Sequence, residues 1–188
     1  MSTQEELRTI ALAEFAAAGY GATSLQRIAE LAGVSKSSVL YHFSSKENLL
    51  EAAIGPAIDR MHAVLEPLEG TGLRDRRAFL EAFVDFLLEY RLEVNMFINQ
   101  GPSLVDVPVI ERANGLVRRL AAFFAVNSNS LEEKMRFGIA LGGAAYMLCS
   151  VQQFGLDEAE STLDTDIDET RAALVAILSD LLTPIAAR

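Results

Sequence analysis

Four side chains able to hydrogen-bond, Ser37, Ser38, Tyr41 and His42, fall on one face of the segment Lys36 to His42 when residues are spaced about 100° apart. Two hydroxyls, a phenol and an imidazole so arranged offer donors and acceptors to a row of polar edges, such as base pairs present in the major groove of DNA. Lys36 opens the segment and Lys46 follows it, both placed for phosphates. Other chemistries find less support. The two histidines, His42 and His62, lack the i+4 partner that metal motifs use. Cys149, the single cysteine, has no histidine near it in sequence and is expected to be buried and inert. No glycine-rich phosphate loop occurs. The expectation is therefore a protein that is not an enzyme and carries neither metal nor cofactor.

The elements that must position this face lie in Thr23 to Lys46. Leu25, Ile28, Ala29 and Leu31 recur at helical spacing, and Thr23 with Gln26 fits a capping box. Gly33 is the expected stop, because glycine enters the left-handed conformation without a Cβ penalty. Ser35 then caps a second helix through its hydroxyl. Val39, Leu40 and Phe43 are expected to pack against the first of the two helices. Two short helices crossing over a tight turn constitute a helix-turn-helix. A helical hairpin with a merely solvated polar face is the bland alternative, and the agreement of caps, glycine and apolar pattern favours the DNA-reading form.

The run Gly21-Ala22-Thr23-Ser24-Leu25-Gln26-Arg27-Ile28-Ala29, then Ala32-Gly33-Val34-Ser35-Lys36, Tyr41-His42-Phe43 and Ser45-Lys46-Glu47, resembles the tetracycline-repressor (TetR) family. The resemblance covers about the first quarter of the chain; beyond it only length and helical pattern are similar. It departs at Ser37, where many members have Gly, and at Leu40, where many have a phosphate-contacting Tyr, so that Tyr41 is expected to take over that contact. The resemblance implies an all-α fold of about nine helices. Residues 1–48 would form the three-helix DNA-binding domain and residues 49–188 a helical domain for ligand binding and dimerisation. It implies a cytoplasmic homodimeric regulator, more specifically a repressor, that binds inverted-repeat operator DNA and is released by a small, largely apolar effector. Ser24, Arg27, Lys36, Tyr41 and Lys46 are the phosphate candidates; Ser37, Ser38 and His42 are those for base readout. A helical ligand-binding or adaptor module without DNA binding is the alternative.

Composition agrees. The chain has 188 residues, 51% of them hydrophobic, and its apolar runs fall short of the ~18 residues of a membrane span. Its start, MSTQEELRT, lacks a signal-peptide pattern, and one cysteine fits a reducing compartment. The net charge of −10 is unevenly placed: the first fifty residues carry about −1, with four basic and five acidic side chains. An acidic body behind a near-neutral head suppresses non-specific DNA binding.

In chain order, a first helix is expected over Ser2 to Ala18 with Phe15 as core plug, ended by Gly19-Tyr20-Gly21, with Tyr20 packed. Ser44 to Glu47 reads as a second capping box, opening a helix whose apolar stripe runs from Leu49 to Leu65. Gly55-Pro56 is expected to interrupt that helix, since proline removes one backbone bond, and the bend is either a static kink or what sets the angle at which a ligand signal travels. The stretch Glu66 to Gly72 reads as a loop. A helix from Leu73 to Tyr90 follows. Asn95 to Gln100 is the expected mouth of a pocket whose candidate lining is Phe83, Phe86, Tyr90, Phe97, Asn99, Phe123 and Tyr146. Further helices are expected over Val109 to Val126, Leu131 to Phe154 and Asp166 to Leu182. Between the last two lies an acidic segment, Asp157 to Glu169, that fits no calcium loop and reads as solvated. Gly142 and Gly143 in mid-helix mark close approach of the last helix, of a partner subunit, or of a ligand. With Leu174, Ile177, Leu178 and Leu181 they are the candidates for the subunit interface that the family resemblance implies.

Overall fold

Apolar residues at helical spacing build a helical molecule. The structure, a computed structural model, describes residues 2–71, 76–128, 130–150 and 167–182. Among these residues lie nine α-helices and no strand: α1 (Thr3–Ala18), α2 (Leu25–Leu31), α3 (Lys36–His42), α4 (Lys46–Thr71), α5 (Arg76–Glu89), α6 (Arg91–Gln100), α7 (Pro108–Asn127), α8 (Leu131–Ser150) and α9 (Ile167–Leu181). A 3-10 turn, Gly101–Ser103, follows α6. The all-α expectation holds. No described helix is long and apolar enough to cross a membrane. The chain forms two compact units, Met1–Asp59 with Leu92–Asn114, and Arg60–Arg91 with Gly115–Arg188. Compactness thus groups the start of α4 and nearly all of α6 with the head, whereas the sequence suggested a break after residue 48.

In the first unit α1 begins at a capping box: Ser2 accepts from the Glu5 N–H while the Glu5 carboxylate accepts from the Ser2 N–H at 2.7 Å. The helix ends at Gly19, whose φ of +94° favours glycine. Leu7, Phe15, Ile28, Val39, Leu49, Leu50, Met96 and Ile110 are fully buried. At seven residues each, α2 and α3 are too short to be stable alone, and this shared apolar core sustains them. The helix α4 continues through Gly55-Pro56 instead of breaking there. Arg112 reaches both flanking turns, pairing with Glu51 and, at 3.0 Å, with Asp59. These contacts help hold the segment that proline leaves one bond short. The expected loop at Glu66 to Gly72 is helical as far as Thr71, and burial of Leu68 outweighs the local cost of Pro67.

In the second unit α9 packs on α5 and α8. Arg171 of α9 holds Asp85 of α5 through two parallel hydrogen bonds, one of them 2.9 Å. At the other end of α9, Arg76 donates to the Leu182 carbonyl and Arg136 to that of Leu181, meeting acceptors that a helix end leaves orphaned. Asn95 to Gln100, suggested as a pocket mouth, lie in α6; their mixed amides and apolar groups hid the helical period. The acidic stretch 157–166 and the expected helix end at 151–154 lie outside the described residues.

The Arg171 hydrogen bonds, then its charge, hold the Asp85 carboxyl below its ordinary range against the opposing effect of burial. A carboxyl whose pKa is lowered on folding adds stability above its unfolded pKa, and that stability is lost as pH falls through the folded value. Asp85→Asn is accordingly expected to lower the melting temperature slightly at pH 7. The difference from wild type should close as the pH drops below about 4, which thermal melts across a pH series will check.

Candidate nucleic-acid interface

The local sequence closes the turn between α2 and α3 in a specific way. Ala32 ends α2 and Gly33 follows at φ +65°. The Val34 N–H donates to the Ala29 carbonyl at 2.9 Å and the Gly33 N–H to the Glu30 carbonyl at 3.2 Å, the paired bonds of a Schellman motif. Ser35 then caps α3, its hydroxyl accepting from the Ser38 N–H at 3.1 Å. At the start of α2 the cap is Ser24, which accepts from the Arg27 N–H, one residue later than the suggested Thr23 box. Thr23 is instead buried and donates its hydroxyl to the Gly19 carbonyl at 2.9 Å. The same shift occurs before α4, where Ser45 rather than Ser44 accepts from the Asn48 N–H.

Val39 and Phe43 anchor α3 by burial, while Leu40, expected beside them, is 41% exposed. It lies a turn position away from the buried seam and joins the outer face. Tyr41 is 86% exposed, Lys36 and Ser37 are exposed, and Ser38 and His42 are half-buried. Tyr41 and His42 meet edge to face, with centroids 5.3 Å apart. The Ser37 hydroxyl lies 2.8 Å from that of Ser35. One outward surface therefore carries Lys36, Ser37, Ser38, Leu40, Tyr41 and His42. Ser24 and Arg27 are also exposed, the Arg27 Nε donating to Glu14 at 3.2 Å.

Lys46 is placed differently. Its ammonium donates to the carbonyls of Tyr20 at 2.9 Å and Thr23 at 3.1 Å, and lies 4.2 Å from the centre of the Tyr20 ring. Burial, with the Glu47 carboxylate beside it, pushes the Tyr20 phenol up to about 12. The same corner is engaged by α6: the Gln100 side chain accepts from the Tyr20 N–H at 2.6 Å and donates to the Phe15 carbonyl. The sequence offered no local signal for Gln100, because its partners lie eighty residues away or more.

The remaining candidates divide. In the second unit Phe79 stacks on Phe83 and meets Phe124, which contacts Phe123 and lies 3.9 Å, centre to centre, from Phe137. Phe86 stacks on Tyr90. Phe97 and Asn99 belong to the other unit, where Phe97 lies against Gly101 and the exposed Asn99 donates to the Asn95 carbonyl. Tyr146 is exposed on α8. Gly142 and Gly143 are exposed, and a Cβ on either would meet nothing within 4 Å among the described residues, so no described helix approaches them. Leu174 and Leu178 are buried where α9 meets α5 and α8, which removes them from the interface candidates; Ile177 and Leu181 stay exposed.

Residues 8–53 match the family model of bacterial regulatory proteins of the tetR family. Over that segment the chain is similar to the TetR family. Over 117 residues it is 33% identical to the transcriptional regulator RutR of Escherichia coli, covering 62% of this chain and 52% of that one. Over 79 residues it is 37% identical to the transcriptional repressor KstR2 of Rhodococcus jostii, covering 42% of this chain and 38% of the repressor. The chain therefore spans about half or less of the length of these curated relatives. Among solved structures, a TetR-family regulator from Streptomyces coelicolor superposes with a TM-score of 0.70 at 21% identity, over the whole of this chain and 94% of that one. The ketosteroid transcriptional regulator KstR2 of Mycobacterium tuberculosis does so at 0.65 and 18%, covering 87% of this chain and 94% of that one. These likenesses support the fold.

Gly33→Ala meets no clash, yet it forces a Cβ into the left-handed region at a cost of about 1–2 kcal/mol. Ser35→Ala should cost about 1 kcal/mol through the lost cap. Urea melts of both variants will check these values.

Proposed function

We propose that this chain is a cytoplasmic transcriptional regulator of the TetR family, more specifically a repressor, that binds an inverted-repeat operator as a homodimer and is released by a small, largely apolar effector. The observation that carries the DNA reading is the outward face of α3, with Lys36, Ser37, Ser38, Tyr41 and His42 accessible while Val39 and Phe43 anchor the opposite side. Ser24, Arg27, Lys36 and Tyr41 position the head on phosphates; Ser37, Ser38 and His42 read base edges.

The homodimer is supported by an exposed stripe on α8, Leu131, Met135, Ile139, Gly142, Tyr146 and Met147, together with Ile177 and Leu181 on α9. An apolar surface of this kind marks an association site. The aromatic cluster around Phe79 and Phe124 supports effector binding in the second unit, since pockets are mostly apolar with a few fixed polar groups. The ketosteroid regulator KstR2 of Mycobacterium tuberculosis suggests one compound class for a first screen.

Selection from random duplexes should enrich a palindrome with half-site centres about one helical turn apart or slightly more. Enrichment of no motif would favour the adaptor reading instead. On the selected operator, with Arg27 and Lys36 of each subunit on phosphates, ~4 contacts per dimer, the log–log salt slope should be about −3.6. His42→Ala should relax preference at one base-pair position per half-site, at a cost of about 1–3 kcal/mol, in a repeat of the selection. Ile139→Asp should shift the protein from dimer to monomer in analytical ultracentrifugation.

A further inference from the structure

The position of Lys46 just beyond the reading helix, beside an operator-facing surface, invites a phosphate contact. Its surroundings argue otherwise. An ammonium has three donors and no acceptor. Here the Tyr20 and Thr23 carbonyls take two of them and the Tyr20 ring face lies in the remaining direction. Both carbonyls belong to the corner between α1 and α2, residues 19–24, which ends at Ser24, the cap of α2. The corner is constrained further by the Thr23 hydroxyl on the Gly19 carbonyl and by Gln100 on the Tyr20 N–H. Lys46 opens α4, so one side chain ties the start of α4 to the start of α2.

We propose that Lys46 is a positioning residue for operator binding: it fixes the corner from which Ser24 and Arg27 meet the DNA, and it makes no phosphate contact of its own. The inference rests on the DNA-binding reading above. Releasing the ammonium to a phosphate would strip two buried-side carbonyls of a charged donor, an exchange in which strong hydrogen bonds are lost as one is gained. Arg27 and Lys36, both exposed, can meet phosphates without that loss.

The test compares wild type with Lys46→Met, Lys46→Gln and Lys36→Met on the selected operator across a salt series, at a temperature where thermal melts show each protein fully folded. Positioning predicts that Lys46→Met loses about tenfold in affinity with the wild-type salt slope unchanged. Lys46→Gln, which keeps an amide donor for the carbonyls but no charge, should recover part of that loss. Lys36→Met supplies the contrast, its slope becoming shallower by about 2 for the two lost contacts of a dimer. A slope shallower by the same amount in both Lys46 variants would assign a phosphate contact and overturn the proposal. So would full affinity in folded Lys46→Met, which would leave the lysine a role in stability alone. If either Lys46 variant fails to fold, the other carries the slope comparison. Wild-type protein that selects no operator would overturn the parent reading, and with it this one, before any variant is compared.

Discussion

The outward polar face of α3 exists because the backbone reverses at Gly33. At φ +65° this residue lets the Val34 N–H return to the Ala29 carbonyl, five residues back, and α2 stops there. The next residue, Ser35, starts a new helix by capping it. A helix of seven residues has too few internal bonds to offset its nucleation cost, so α3 depends on what its inner side touches. Val39 and Phe43 supply that side, buried with Ile28 and Ala29 of α2 in the core of the first unit. Turn geometry sets the rotation of α3 about its axis, and the rotation decides which of Ser37, Ser38, Leu40, Tyr41 and His42 face outward. A residue with a Cβ at position 33 would resist the turn, and the polar side chains would lose their common direction.

The supply of positive charge near this face is small, and that limits what the face can do. Four basic side chains occur in the first fifty residues, in a chain of net charge −10. Of these, Lys46 is committed to backbone carbonyls and Arg27 shares its charge with Glu14. In the proposed DNA interface so few uncommitted cations would release few counterions, so affinity would lean less on the phosphate lattice and more on base edges. The hydroxyls, phenol and imidazole of α3 are suited to that balance. Leu40, outward where burial was expected, adds an apolar group that can meet a thymine methyl, a contact open to small aliphatic side chains.

Much of this was legible in the sequence, for physical reasons that also explain the failures. Gly33, Ser35, Val39 and Phe43 could be placed because turn, cap and buried side chain each impose a local requirement on residue type. The caps of α2 and α4 were misplaced by one residue because Thr23-Ser24 and Ser44-Ser45 each offer two competent hydroxyls in succession. Which one caps is decided by burial: Thr23 turns inward and leaves Ser24 to do it. Pro56 and Pro67 read as breaks because the stabilisation that carries α4 past them comes from elsewhere. Around Pro56, burial of Ala53, Ile54, Ala57 and Ile58 supplies it, and Arg112 of α7 adds exposed ion pairs from more than fifty residues along the chain. Gln100 was invisible as a structural residue for the same reason: an amide on a mixed helix has no local signature until its distant partners are known. On α9 the inner and outer sides are both aliphatic, so periodicity could not separate the buried Leu174 and Leu178 from the exposed Ile177 and Leu181.

The glycines of α8 extend this point from reading to explanation. Each glycine within a helix costs roughly 1 kcal/mol relative to alanine, and Gly138, Gly142 and Gly143 lie within one helix with open space where a Cβ would stand. Among the described residues nothing offsets that cost, because no described element uses the space. Beside them Met135, Ile139, Tyr146 and Met147 are also left exposed, which adds a hydration penalty on the same surface. A sequence that departs from local preference twice on one helix face is consistent only if something else covers it. A second helix approaching the bare backbone closely would remove the aliphatic groups from water and gain contacts that side chains at the glycine positions would block. The proposed dimer is the arrangement in which both departures become favourable together.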